Sequence, residues 1–116
     1  IYNTYHKFIL KLFNNGKMKF RKKYLNNTIL LNIIALYFRF VKKNITCAIK
    51  YYKISIGKGN VRSILGLGNV YKDELNDTDN AIKYYNMGID EKECAYCAYE
   101  LGLLYNNIHD NDNAIK

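Results

Sequence analysis

The side chains with the right types and spacing for chemistry are few, and Cys94-Ala-Tyr-Cys97 comes first among them. A C-x-x-C pair suits either half of a zinc site or thiol exchange. Structural zinc takes four ligands, and the chain has no second C-x-x-C and no nearby His pair to complete the set. A thiol-exchange pair is expected where a strand passes into a helix, which the flanking residues do not suggest. The two cysteines therefore read as small side chains on the inward side of a helix start. His109 lies in a polar turn and His6 near the beginning, each a lone histidine of the kind usually found at a surface. Neither Gly-x-Ser-x-Gly nor His-Glu-x-x-His occurs. Gly57-x-Gly59 and Gly66-x-Gly68 lack the Gly-Lys-Ser/Thr ending that a phosphate loop requires. The pairs Asp73-Glu74 and Asp90-Glu91 fall at turns or helix ends, where they are expected to stay solvated. No catalytic, cofactor-binding or metal-binding residue is assigned, and the expectation is a protein that is not an enzyme.

Composition narrows the classes further. Ile, Asn, Lys and Tyr make up about half of the 116 residues, with Pro and Trp absent, as an A/T-rich coding sequence would produce. The net charge of +8 is uneven: residues 1–46 carry ten Lys or Arg and no acid, and residues 47–116 carry eight basic and ten acidic residues. A basic third of this kind can serve nucleic acid or an anionic surface, with Lys17, Lys19, Arg21, Lys22 and Lys23 its densest patch. Fifteen Lys against three Arg argue the other way, because phosphate recognition favours the guanidinium fork. Three cysteines and no leader of the secretory type point to a reducing, cytoplasmic setting, the host cytoplasm if the source is viral. The most apolar stretch, 28–41, is interrupted by Asn32 and Arg39 and is shorter than the ~20 residues a spanning helix needs, so no transmembrane segment is expected. The Asn-x-Thr sequons at Asn26, Asn44 and Asn76 are what an Asn-rich chain yields by chance. A start at Ile1 and a stop at Lys116 inside a motif in progress suggest a fragment.

What organises the chain is an internal repeat. Ala48-Ile-Lys-Tyr-Tyr52 returns 33 residues later as Ala81-Ile-Lys-Tyr-Tyr85 and begins again, after another 33, as Ala114-Ile-Lys116. Between them Leu67-Gly68-Asn-Val-Tyr71 returns after 34 as Leu101-Gly102-Leu-Leu-Tyr105, and Ile34-Ala35-Leu-Tyr-Phe38 precedes it more loosely. The repeated residues share helix faces: Leu67, Gly68 and Tyr71 form one stripe, and Ala81, Tyr85 and Gly88 another. Small residues at 35, 68 and 102 are expected to face Ala48, Ala81 and Ala114 across a helix pair, with Tyr52, Tyr71, Tyr85 and Tyr105 filling the space beside them. The intervals predict helices over about 28–43, 46–56, 61–73, 79–90 and 94–106, with another opening near 112. Asp79 or Asn80, and Asp112 or Asn113, are the expected caps. Because one pair cannot bury its own apolar face, stability must come from stacking on neighbours.

Leu-Gly-x-x-Tyr followed by Ala-x-x-x-Tyr-x-x-small resembles the tetratricopeptide and Sel1-like repeat superfamily over about residues 28–116. The doubled Tyr leans toward the Sel1-like form seen in A/T-rich giant-virus and protist proteins. Two features depart from that pattern: the closing Pro of many tetratricopeptide repeats is absent, and acidic, Asn-rich turns replace the Sel1-like glycine loop. The resemblance implies an all-α fold, a right-handed superhelical solenoid of antiparallel helix pairs over residues 26–116. Residues 1–25 would then be a degenerate repeat or capping helices.

In such a solenoid the first helix of each pair lines a concave groove. Carried over to this chain, the groove would present Asn32, Leu36 and Arg39, then Arg62, Leu65, Asn69 and Lys72, then Tyr96, Tyr99, Leu103, Asn106 and Asn107. Amide, basic and aromatic groups together suit a peptide or helix from another protein. The implied function is thus a protein-interaction scaffold that needs no cofactor. The alternative is nucleic-acid or anionic-surface binding through the basic N-terminal third.

Overall fold

A computed structural model describes residues 27–115, with side chains as far as His109. These residues form five helices and no strand: α1 (Thr28–Phe40), α2 (Ile45–Gly57), α3 (Val61–Asp73), α4 (Thr78–Lys92) and α5 (Ala95–Ile115). The expected basic segment 1–25, with its Lys and Arg patch and His6, lies outside the described residues. No described helix is long and apolar enough to cross a membrane.

The first four helices begin the same way. Asn27, Asn44, Asn60 and Asp77 each turn a side-chain oxygen onto the backbone N–H three residues on, at 3.0–3.2 Å. This satisfies one of the amide donors that a helix start leaves without an intrahelical partner. The caps recur every 16 or 17 residues. The expected cap at Asp79 or Asn80 moves back to Asp77, because Asn80 is the donor in this arrangement rather than the acceptor. Each described connection also contains one left-handed residue, Lys43, Gly59, Asn76 or Glu93, with φ between 50° and 92°. That conformation turns the chain back toward the helix it has just left.

Every helix packs on the next, most extensively α1 on α2 and α3 on α4. Two apolar clusters result. Leu31, Ile34, Ala35, Phe38, Ala48, Tyr51, Tyr52, Leu67 and Val70 belong to the first, and Ala81, Tyr85, Cys97 and Leu104 to the second. Tyr71 lies against both. The 33-residue interval survives as ring geometry: Phe38 stacks on Tyr51 and Tyr71 on Tyr84, each pair with centroids 5.5 Å apart and planes within 5° of parallel.

A Cβ on Gly68 would come within 2.6 Å of the Tyr85 ring, so the missing side chain makes room for that ring. Gly66 does the same for Tyr52. Gly88 is buried and makes room for the Cys97 sulfur.

The C-terminal part departs from expectation most. The turn anticipated over Asn106–Asn113, its caps Asp112 or Asn113, and the helix expected near 112 are absent; α5 continues through them to Ile115. Ile108 gives the reason, since it falls one turn beyond Leu104 on the same face and joins the second cluster. The corresponding residue of α3 is Glu74, which lies beyond that helix's end. Gly102 and Tyr105, expected to pack inside a pair, are exposed instead, and Ala114 lies beyond the described side chains.

Candidate functional site

The expected groove residues divide into a set bound internally and a set left open. Arg39 is buried, with 8% of its surface exposed. Its Nε lies 2.6 Å from Glu74 Oε1, and one terminal nitrogen lies 3.3 Å from Asp73 Oδ2. Burial works against the charge of Arg39, but the hydrogen bond and charge of Glu74, followed by those of Tyr52, together outweigh it and hold the guanidinium pKa above its ordinary value. Glu74 is accordingly a counterion rather than the solvated acid its turn position suggested. One repeat later, Lys72 Nζ lies 2.6 Å from Glu100 Oε2. Arg39 and Lys72, 33 residues apart, thus each link two helices, the first joining α1 to the end of α3 and the second joining α3 to the early part of α5.

The amides nearest the core are also engaged. Asn69 accepts a hydrogen bond from the Tyr85 hydroxyl. Asn32 Oδ1 lies 3.0 Å from Ser63 Oγ, which in turn lies 2.7 Å from Ser55 Oγ, forming a polar contact among α1, α2 and α3. Leu36 is half-buried, and Leu65 is half-buried against the second cluster. Arg62, Asn106 and Asn107 are exposed.

The apolar part of the open set lies on α5. Tyr96 is 74% exposed, Tyr99 65% and Leu103 40%. At 100° per residue these three share one face, turned away from the Cys97–Leu101–Leu104 face that packs on α4. Tyr105 is also half-exposed, so four of the seven large apolar residues exposed among the described ones belong to this helix.

The C-x-x-C pair is explained by capping. Cys94 occupies the position Asn60 holds one repeat earlier, and its sulfur accepts the Cys97 backbone N–H at 3.1 Å. Cys97 is fully buried against Gly88. Burial, then the hydrogen bond and charge of Cys94, push the Cys97 thiol up to about 12, so it is neutral near pH 7. Reactive cysteines need the opposite shift. Among the described residues, no group of three or more His, Cys, Asp and Glu could hold a metal ion.

The ion-pair links and the caps were missed by motif reasoning, yet both have a sequence signal. Acids stand at 73–74 and 100, after basic helix-ending residues 33 apart, and Asn or Asp recurs at 27, 44, 60 and 77. Comparison of the chain with family models, curated proteins and solved structures returns no match.

Proposed function

We propose that this chain is a protein-binding scaffold of the tetratricopeptide/Sel1-like kind, a right-handed solenoid of antiparallel helix pairs whose first helices offer a groove to a peptide or helix. The observation that carries this reading is the exposed Tyr96–Tyr99–Leu103 face of α5. Tyrosines left in water on a rigid helix supply contact area at little rotamer cost and a hydroxyl that can bond a peptide backbone. Arg62 on α3 extends the surface with an exposed cation. Because Arg39, Asn69 and Lys72 have partners on neighbouring helices, the binding chemistry concentrates on α5 rather than spreading along all three first helices.

Selection from a displayed peptide library, followed by calorimetry on the selected peptide, tests this. Tyr96→Ala and Tyr99→Ala are each expected to weaken binding about tenfold or more while the circular dichroism of the chain stays unchanged. Retention of full affinity by both variants excludes the groove. Salt separates the nucleic-acid alternative, which predicts a log–log slope near −0.9 per phosphate contact on duplex DNA where an aromatic groove responds weakly.

A further inference from the structure

The connection between α4 and α5 brings two thiols into contact, one reachable from outside and one shielded. Cys94 stands where Asn60 caps α3, with its sulfur 3.1 Å from the Cys97 N–H. It is only partly buried. Asn60 keeps the same partial exposure although α3, α4 and α5 all follow it, so access to Cys94 belongs to this kind of connection and does not depend on what comes after α5. Cys97, one turn on, is fully buried against α4, where a Cβ on Gly88 would run into its sulfur and reach Cys94 Cβ at 3.4 Å. The two cysteine side chains also hydrogen-bond each other. Disulfide exchange needs one sulfur that meets an outside molecule and a second that closes the bond behind it. No strand precedes the pair, but neither step requires one.

We infer that Cys94 and Cys97 form a reversible disulfide by exchange with a small-molecule disulfide such as oxidised glutathione, Cys94 attacking first and Cys97 closing the bond. In the first step the Cys94 thiolate attacks one sulfur of the small disulfide, a mixed disulfide forms at Cys94, and one small thiolate leaves. In the second the Cys97 thiol gives its proton to solvent and its sulfur attacks the Cys94 sulfur, which releases the other small thiolate. The protein loses two electrons and two protons, and the small disulfide gains them as two thiols. Burial, then the hydrogen bond to Cys94 and its charge, hold the Cys97 thiol protonated in the reduced pair. Both influences of Cys94 end once its sulfur is bonded to the small molecule, so the first step prepares the second. Cys47 packs against the first cluster while the pair belongs to the second, and exchange at Cys47 stops at a mixed disulfide.

The test keeps the reduced full chain in oxidised glutathione without oxygen at neutral pH, quenches it with acid, alkylates it and digests it with trypsin. Cys94 and Cys97 then fall on the peptide 93–116 and Cys47 on 44–50. A 93–116 peptide lighter by two hydrogens, restored by dithiothreitol, is expected in the unsubstituted chain. Cys97→Ala is expected to leave glutathione on Cys94. In Cys94→Ser, whose serine is itself a good helix cap, Cys97 is expected to take up glutathione about tenfold more slowly than Cys94 does in Cys97→Ala, with the difference lost in denaturant. Three results would overturn the proposal: a 93–116 peptide that stays reduced, a glutathione adduct on Cys94 that accumulates in the unsubstituted chain, or glutathione that appears first on Cys97. The first two are read on the unsubstituted chain and need neither variant to fold.

Discussion

Two glycines in the same motif make opposite predictions because one has a ring over it and the other has water. Gly68→Ala gains helix propensity of about 1 kcal/mol, but it forces a methyl into the buried Tyr85 ring. Overpacking of that kind costs about 1–3 kcal/mol, so net destabilisation is expected. Gly102→Ala meets no neighbour among the described residues, and chemical denaturation is expected to find it more stable by up to about 1 kcal/mol. Equal signs for the two would remove the distinction. Titration offers a second test at single residues. The side chain of Asn80, and then its backbone, hold the Asp77 carboxyl below its usual range. A depressed folded-state pKa means that the contribution is complete above the unfolded value, near 3.8, and is lost as pH falls through the lower folded value. Asp77→Asn is therefore expected to flatten the acid limb of a stability-versus-pH curve, since an asparagine cap does not titrate. Cys97 gives a third: its buried, neutral thiol is expected to react far more slowly with a thiol reagent than Cys47 or Cys94, with the difference vanishing in denaturant.

At the scale of the element, the helices of the first four segments were legible because their signals are local. Apolar spacing and the repeat interval placed their faces and their starts to within a residue or two. The end of α5 was not legible from the same signals. An Asn- and Asp-rich run has weak helix propensity and reads as a turn, but it contains no Gly or Pro, and Ile108 is held in place by packing that a local reading does not see. The binding surface was only partly visible for a similar reason. Spacing places Arg39 and Tyr99 on comparable helix faces, whereas only the distant acid at position 74 determines that Arg39 is consumed. The connection after α4 carries its own prediction. Glu93 holds a left-handed φ of 51° while its N–H bonds Ile89 O and the next N–H bonds Gly88 O. Glu93→Gly removes the clash of a Cβ with the following carbonyl oxygen there and is expected to raise stability by about 0.5–1 kcal/mol, after the loss of chain entropy is allowed for. A lower melting temperature would contradict that account.

At the scale of the whole molecule, the two clusters meet at Tyr71 and the first helices are tied by Arg39–Glu74 and Lys72–Glu100. Arg39→Met is expected to cost about 1.5–3 kcal/mol, the range for hydrogen bonds to charged groups, because it leaves Glu74 without its partner. Lys72→Met should cost less, since an ammonium a quarter exposed gives up a water-screened contact. Equilibrium denaturation of both variants checks the order, and a larger loss at Lys72 would reverse the ranking of the two links.

Those two ionic links sit between helices a repeat apart, and the Tyr52 ring seated at Gly66, with Leu67 and Val70 in the first cluster, carries apolar packing across the first of those junctions. Charge attraction weakens with ionic strength and ring packing does not. Added electrolyte should therefore remove only the ionic share of what joins successive repeats, leaving the apolar seam between α2 and α3 to hold them together.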